Sequence, residues 1–157
     1  MKIMISNIIM NPIKHRLADA VDWRDRRAVA CSTNTPETLE RLAKDNHYDV
    51  RRGVALNPNT PPEALKRLAN DDYYWVRYCV ACNPNTPPET LEHLVEDGYS
   101  LVREAVALNI NTSPETLERL ANYGDHYVSI ALAINFFTPQ YIKDYLKIKE
   151  FLNYTTR

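Results

Sequence analysis

One fourteen-residue phrase occurs three times with small changes, and nothing else in the chain limits its fold so strongly. Val50-Arg51-Arg52-Gly53-Val54-Ala55-Leu56-Asn57-Pro58-Asn59-Thr60-Pro61-Pro62-Glu63 returns as Val76-Arg77-Tyr78-Cys79-Val80-Ala81-Cys82-Asn83-Pro84-Asn85-Thr86-Pro87-Pro88-Glu89. It returns again as Val102-Arg103-Glu104-Ala105-Val106-Ala107-Leu108-Asn109-Ile110-Asn111-Thr112-Ser113-Pro114-Glu115. Val50, Val76, Val102 and Val128 stand 26 residues apart. An earlier copy begins at Asp25 and is one residue shorter, because Thr35-Pro36-Glu37 has a single residue between Thr and Glu. A degraded fifth copy runs from Val128 through Asn135 and Thr138-Pro139-Gln140. A fixed period of this length marks stacked units that cannot bury an apolar face singly. The chain therefore divides into an N-terminal cap, 1–24, repeats at 25–49, 50–75, 76–101, 102–127 and 128–146, and a C-terminal cap or tail, 147–157.

Each unit carries two apolar stripes at helical spacing: Val76, Cys79 and Val80 at i, i+3 and i+4, then Leu91, Leu94 and Val95. The second helix has a start signal, since Thr86 and Glu89 form a T-x-x-E capping box with Pro87 at the first helical position. Thr60 with Glu63, and Thr112 with Glu115, repeat it. The first helix is the shorter, spanning Val76 to Cys82 and stopped by Asn83-Pro84, and so short a segment is α or 3₁₀. Ten Pro against three Gly accords with proline used at fixed repeat positions. The expected fold is an all-α solenoid of about five two-helix repeats of ~26 residues.

The pattern V-R-x-A-V-A-x-N-P-x-T-P-x-E-x-L-x-x-L-A-x-D resembles the leucine-rich repeat variant family, and its two-helix unit is similar in outline to HEAT and armadillo repeats. The resemblance implies a right-handed superhelix in which short, partly 3₁₀ helices alternate with longer α-helices. It implies almost nothing biochemical. Some members carry a cysteine-rich iron–sulfur module ahead of the repeats; Met1 to Arg24 contain no Cys, so no cluster is expected here. The fifth copy departs from the pattern, with Ser129 in place of Arg and Phe136-Phe137 in place of the polar loop, as a repeat that ends the stack would.

A formal net charge of -1 gives no global field to hold nucleic acid or an anionic membrane. Cys31, Cys79 and Cys82 are an odd set, which favours a reducing compartment, and the apolar run Ile3 to Met10 is too short to span a bilayer or to lead a signal peptide. A cytoplasmic monomer is expected, with no membrane partner. Cys79 and Cys82 form a C-x-x-C, but the repeat register aligns Cys79 with Ala28, Gly53, Ala105 and Ala131, and Cys82 with Cys31, Leu56, Leu108 and Ile134. Both are read as small buried hydrophobes, and neither metal nor cofactor is expected. His15, His47, His93 and His126 fall at unrelated positions, no nucleophile is paired with a repeated base, and there is no Gly-rich phosphate loop. No enzyme is expected, and a helical-repeat enzyme acting on nucleic acid bases lacks an identifiable carboxylate pocket.

Arg26, Arg51, Arg77 and Arg103 occupy one repeat position. Asp45, Asp71 and Asp97 each precede an Arg by six residues, so an Asp-to-Arg hydrogen bond is expected to tie successive turns, and to be lost where Tyr123 and Ser129 replace both members. The alternative reading is a basic stripe of Arg26, Arg27, Arg51, Arg52, Arg77 and Arg103 that binds nucleic acid while tyrosines stack on bases. Most large rings here carry a polar group, and several lie in the turn before the Val-Arg helix. One ring per turn is expected to cover the next repeat; three consecutive rings cannot all point inward, which makes Tyr73, Tyr74 and Trp75 an exposed anchor. The position after Val-Arg varies as Arg27, Arg52, Tyr78, Glu104 and Ile130, on helices that solenoids place along the inner curve. The third and fourth repeats carry the acidic excess. The expected function is a non-enzymatic scaffold that binds a protein or peptide through Arg52, Tyr73, Tyr74, Trp75, Tyr78 and Glu104.

Overall fold

The computed structural model describes residues 19, 22–123 and 125–155, and among these it contains ten α-helices and no strand. The apolar run Ile3 to Met10, His15, Gly124 and most of the expected cap over 1–24 lie outside the described residues. Helices alternate between two roles. The A helices are α1 (Trp23–Ser32), α3 (Tyr48–Leu56), α5 (Tyr74–Cys82), α7 (Ser100–Leu108) and α9 (His126–Ile134). The B helices are α2 (Pro36–Leu42), α4 (Pro62–Leu68), α6 (Pro88–Leu94), α8 (Pro114–Asn122) and α10 (Gln140–Thr155).

The middle A helices α3, α5 and α7 each bury two valines and at least one alanine, as in Val76, Val80 and Ala81, against a leucine pair on the B helices, as in Leu91 and Leu94. No unit encloses these side chains alone, but stacking joins them into one apolar core along the chain. Successive A helices pack directly on one another, whereas successive B helices make little mutual contact, so the A helices form the tighter side of the stack. Small residues make that approach possible. A Cβ added at Gly53 would lie 3.1 Å from both Ala30 Cβ and Cys31 Sγ, which is why this column holds Gly, Cys and Ala.

Two local details differ from the sequence reading. The A helices are α-helical throughout and are the longer in the first three repeats, ten, nine and nine residues in α1, α3 and α5 against seven in α2, α4 and α6. The reason is an aspartate turn before each one: Asp71 Oδ1 accepts from the Tyr73 N–H at 3.0 Å, and Asp97 Oδ1 from the Tyr99 N–H at 2.9 Å. The chain thus turns into the helix two residues ahead of the first valine. The threonines also do not cap the B helices. Pro61 and Pro87 stand at the cap positions, which leaves Thr60 and Thr86 one residue too far upstream. Their buried hydroxyls donate backwards, Thr60 Oγ1 to Val54 O at 2.6 Å and Thr86 Oγ1 to Val80 O at 2.5 Å, and so satisfy carbonyls at the end of the preceding A helix. Thr112 does the same to Val106 O at 2.6 Å, while Ser113 accepts from the Thr116 N–H as a true side-chain cap.

Candidate interaction surface

Three ladders bind the repeats to one another and decide which side chains are left to face outward. The first is ionic. Arg51 Nε and Nη2 donate to the Asp71 carboxylate at 2.5 and 2.9 Å, and Arg77 makes the same fork with Asp97 at 2.6 and 3.1 Å. Arg26 forks onto Asp45 in the same way. The aspartate six residues earlier contributes its backbone carbonyl instead: Arg51 Nη1 donates to Asp45 O at 2.8 Å and Arg77 Nη1 to Asp71 O at 2.6 Å. Each inner aspartate therefore holds one arginine by its side chain and the next by its main chain, which corrects the simple six-residue pairing. The contact also survives at the last step, where its loss was expected. Asp125 Oδ2 accepts from Arg103 Nη2 at 2.7 Å, Ser129 Oγ donates to Asp125 O, and the Arg103 guanidinium lies 4.7 Å from the centre of the Tyr123 ring.

The side chains of these pairs are largely buried, and the titration behaviour follows. The carboxylate hydrogen bond to each of Arg26, Arg51 and Arg77 raises the guanidinium pKa further and outweighs the cost of burial. Burial alone would push the Asp45 carboxyl up, but the Arg26 hydrogen bond, the His47 N–H and nearby charge together hold it below its ordinary 3.8.

The second ladder, at the opposite end of the A helices, is made of asparagines that the sequence reading left without a role. Asn83 is buried, and its Nδ2 donates to Ala55 O at 2.7 Å and Asn57 O at 3.0 Å in the previous repeat, while its Oδ1 accepts from the Asn85 N–H at 2.9 Å. Asn57 and Asn109 repeat the arrangement, and Asn135 Nδ2 reaches Ala107 O at 2.6 Å. The signal was present: Asn57, Asn83, Asn109 and Asn135 keep one residue type in a column that flanks the core.

The third ladder is aromatic. The ring at the first position of an A helix stacks on the ring at the cap of the next: Trp23 on His47 at 4.1 Å, Tyr48 on Tyr73 at 4.7 Å and Tyr74 on Tyr99 at 4.3 Å. One ring per turn thus covers its neighbour. Tyr73 and Tyr74 belong to this spine, although Tyr73 remains half exposed. Trp75 leaves it, and meets Tyr78 edge-on at 5.5 Å on the outer face of α5.

What remains outward on the A helices is a stripe at i, i+3 and i+7. On α5 it is Trp75, Tyr78 and Cys82; on α7, Leu101, Glu104 and Leu108; on α9, Tyr127, Ile130 and Ile134. Leu101 and Leu108 are 42% and 43% exposed and Ile134 69%, so apolar identity in these columns does not mean burial. The expectation that Cys82 lies in the core is corrected for this reason: Cys31 and Cys82 are exposed at the last turn of their helices, and Cys79 alone of the three is buried. Burial, followed by the charges that Cys82 and Cys31 would carry, pushes the Cys79 thiol up to about 11. The hydrogen bond with Cys82, more than burial, pushes the Tyr78 hydroxyl up to about 12. The sequence reading missed Leu101, Leu108, Tyr127 and Ile134 as surface residues. Their signal was an excess of apolar positions, since Val102, Ala105, Val106 and Ala107 already fill the buried arc of α7.

Of the residues singled out from sequence, the structure brings Tyr78 and Glu104 into one groove between α5 and α7, with Trp75 packed against Tyr78. Arg52 lies on the outer column of α3, paired with Asp49 at 3.2 Å. Arg26, Arg51, Arg77 and Arg103 are held by aspartates, and the Arg27 Nε is buried. Among the described residues no cluster of three or more His, Cys, Asp or Glu side chains is placed to hold a metal ion, and no helix is long and apolar enough to cross a membrane.

Two family models match the chain: Leucine rich repeat variant over residues 48–72, and Leucine Rich Repeat Variant domain over residues 78–136. The chain belongs to the leucine-rich repeat variant family. The matches fall on the repeats that carry the arginine, asparagine and aromatic ladders, so this chain is a helical-repeat scaffold whose unit is the A–B pair. No curated protein and no solved structure matches it.

Proposed function

We propose that the chain is a non-enzymatic scaffold that binds a protein or peptide along the outer stripe of its A helices. The observation that carries this reading is the run of exposed apolar side chains, Trp75, Leu101, Leu108, Tyr127, Ile130 and Ile134, on three successive A helices of one stack. Solvent-facing apolar residues scattered singly need no explanation, but a continuous stripe across neighbouring repeats is the form taken by a contact surface. The arginines of the nucleic-acid alternative are largely committed to carboxylates, which weakens any phosphate-binding stripe. Three free thiols suit a cytoplasmic setting.

The test compares the tagged full chain with Leu108→Lys and Ile130→Lys variants in capture experiments with and without nuclease. Partner protein retained after nuclease and lost in both variants, at an unchanged melting temperature, is the expected result. Capture that disappears with nuclease and falls steeply with salt would replace this reading with the nucleic-acid one.

A further inference from the structure

We propose that the groove between α5 and α7 seats an apolar partner segment carrying one lysine or arginine, whose cation meets the Glu104 carboxylate. This rests on the scaffold reading and specifies the chemistry of its partner. The groove has a volume of about 240 Å³ and is walled by Tyr78, Cys82, Leu101 and Leu108. Sites that enclose whole small molecules measure about 300–1,000 Å³, so this one has room for a side chain or two of a larger partner.

Glu104 is the only ionisable carboxylate in that wall, and among the described residues it makes no hydrogen bond or ion pair. Among the described residues, three arginines of the A helices α3, α5 and α7 already have carboxylate partners: Arg52 has Asp49, Arg77 has Asp97 and Arg103 has Asp125. The hydroxyl of Tyr78 is directed to Cys82. An uncompensated carboxylate between leucines repels phosphate and acidic peptide and attracts a cation. A single carboxylate does not make a metal site, because hard divalent cations gather six or more oxygen ligands or keep most of their water. A lysine or arginine side chain fits both halves of the groove. Its methylene stem lies along Leu101 and Leu108, its charge reaches Glu104, and the Tyr78 ring offers a cation–π face. Apolar residues on either side of it would then continue onto Trp75 and onto Ile130 of the next A helix.

The experiment selects a displayed library of random twelve-residue peptides on the immobilised full chain, with heat-denatured chain as the background. Enriched peptides are expected to carry a Lys or Arg flanked by Leu, Ile or aromatic residues. They should bind Glu104→Gln about tenfold more weakly and Glu104→Lys more weakly still, and a Lys-to-Glu change in the peptide should restore binding to Glu104→Lys. Glu104→Gln preserves side-chain shape and carries the test if Glu104→Lys melts lower. Peptides that bind the native chain and both Glu104 variants equally, but fail on Ile130→Lys, overturn the groove assignment and leave the scaffold reading in place. Failure of any peptide to enrich above the denatured background overturns both.

Discussion

Replacing Asn83 by alanine removes three hydrogen bonds at once: two donated to Ala55 O and Asn57 O, and one accepted from the Asn85 N–H. A net hydrogen bond contributes about 1 kcal/mol, and a buried carbonyl left unpaired costs about 1–3 kcal/mol. Ala55 is fully buried, so water does not easily reach its carbonyl, whereas Asn57 O keeps the Thr60 N–H and loses one bond of two. The expected destabilisation of Asn83→Ala is therefore about 3–5 kcal/mol, read from urea denaturation of the full chain by far-ultraviolet circular dichroism. Asn83→Asp sharpens the test, because it keeps the acceptor, removes both donors and points a carboxylate at two carbonyl oxygens. At pH 7 it should be less stable than the alanine variant. Its carboxyl would titrate above the ordinary carboxylate range in the folded state, so the extra penalty should shrink as the pH falls through that raised pKa and be gone below about 4, the unfolded value. A loss under about 1 kcal/mol for alanine, or an aspartate variant more stable than alanine at pH 7, would refute the ladder.

Arg77→Lys is expected to lower stability by about 2 kcal/mol, since a lysine cannot reproduce the fork on Asp97 together with the contact to Asp71 O; an unchanged urea midpoint would count against the ionic ladder. Asp45 is held below 3.8, so the stability it contributes is complete above that value and is lost as the pH falls through the lowered folded-state pKa. Asp45→Asn should flatten that acid limb of the stability curve. In the native chain at pH 8, a thiol reagent should modify Cys31 and Cys82 while Cys79 waits for denaturation. Burial and the Glu104 charge raise the Cys82 thiol against the lowering effect of Tyr78, so Glu104→Gln should speed modification of Cys82 and leave Cys31 unchanged.

The repeat period, the helix pair and the buried columns were legible because each leaves a trace at fixed spacing along one chain. The ladders were only half legible. An aspartate six residues before an arginine signals contact, but the sequence does not say whether carboxylate or carbonyl accepts. The partner that decides this, as Asp71 does for Arg51, lies about one repeat away. Thr86 was misread because the capping motif counts residues from Thr to Glu, and a second proline moves the helix start by one without altering that count. Cys82, Leu101 and Leu108 were hidden for a different reason: hydrophobic identity reports burial only when the apolar arc is no wider than one contact face. The valines and alanines of α5 and α7 had already filled that face.

The ladders repeat almost unchanged from one unit to the next, yet the outward triplets do not. Along the stack they pass from Arg24, Arg27 and Cys31, through Asp49, Arg52 and Leu56 and then Trp75, Tyr78 and Cys82, to Leu101, Glu104 and Leu108 and finally Tyr127, Ile130 and Ile134. A bound chain displaced by a single unit would find the same spacing and the wrong chemistry, with a lysine meant for Glu104 set against Tyr78 or Ile130. If a partner binds here as proposed, its alignment is written by three side chains per repeat, none of which the spine needs, and exchanging them would suit the surface to another partner while the architecture beneath stays as it is.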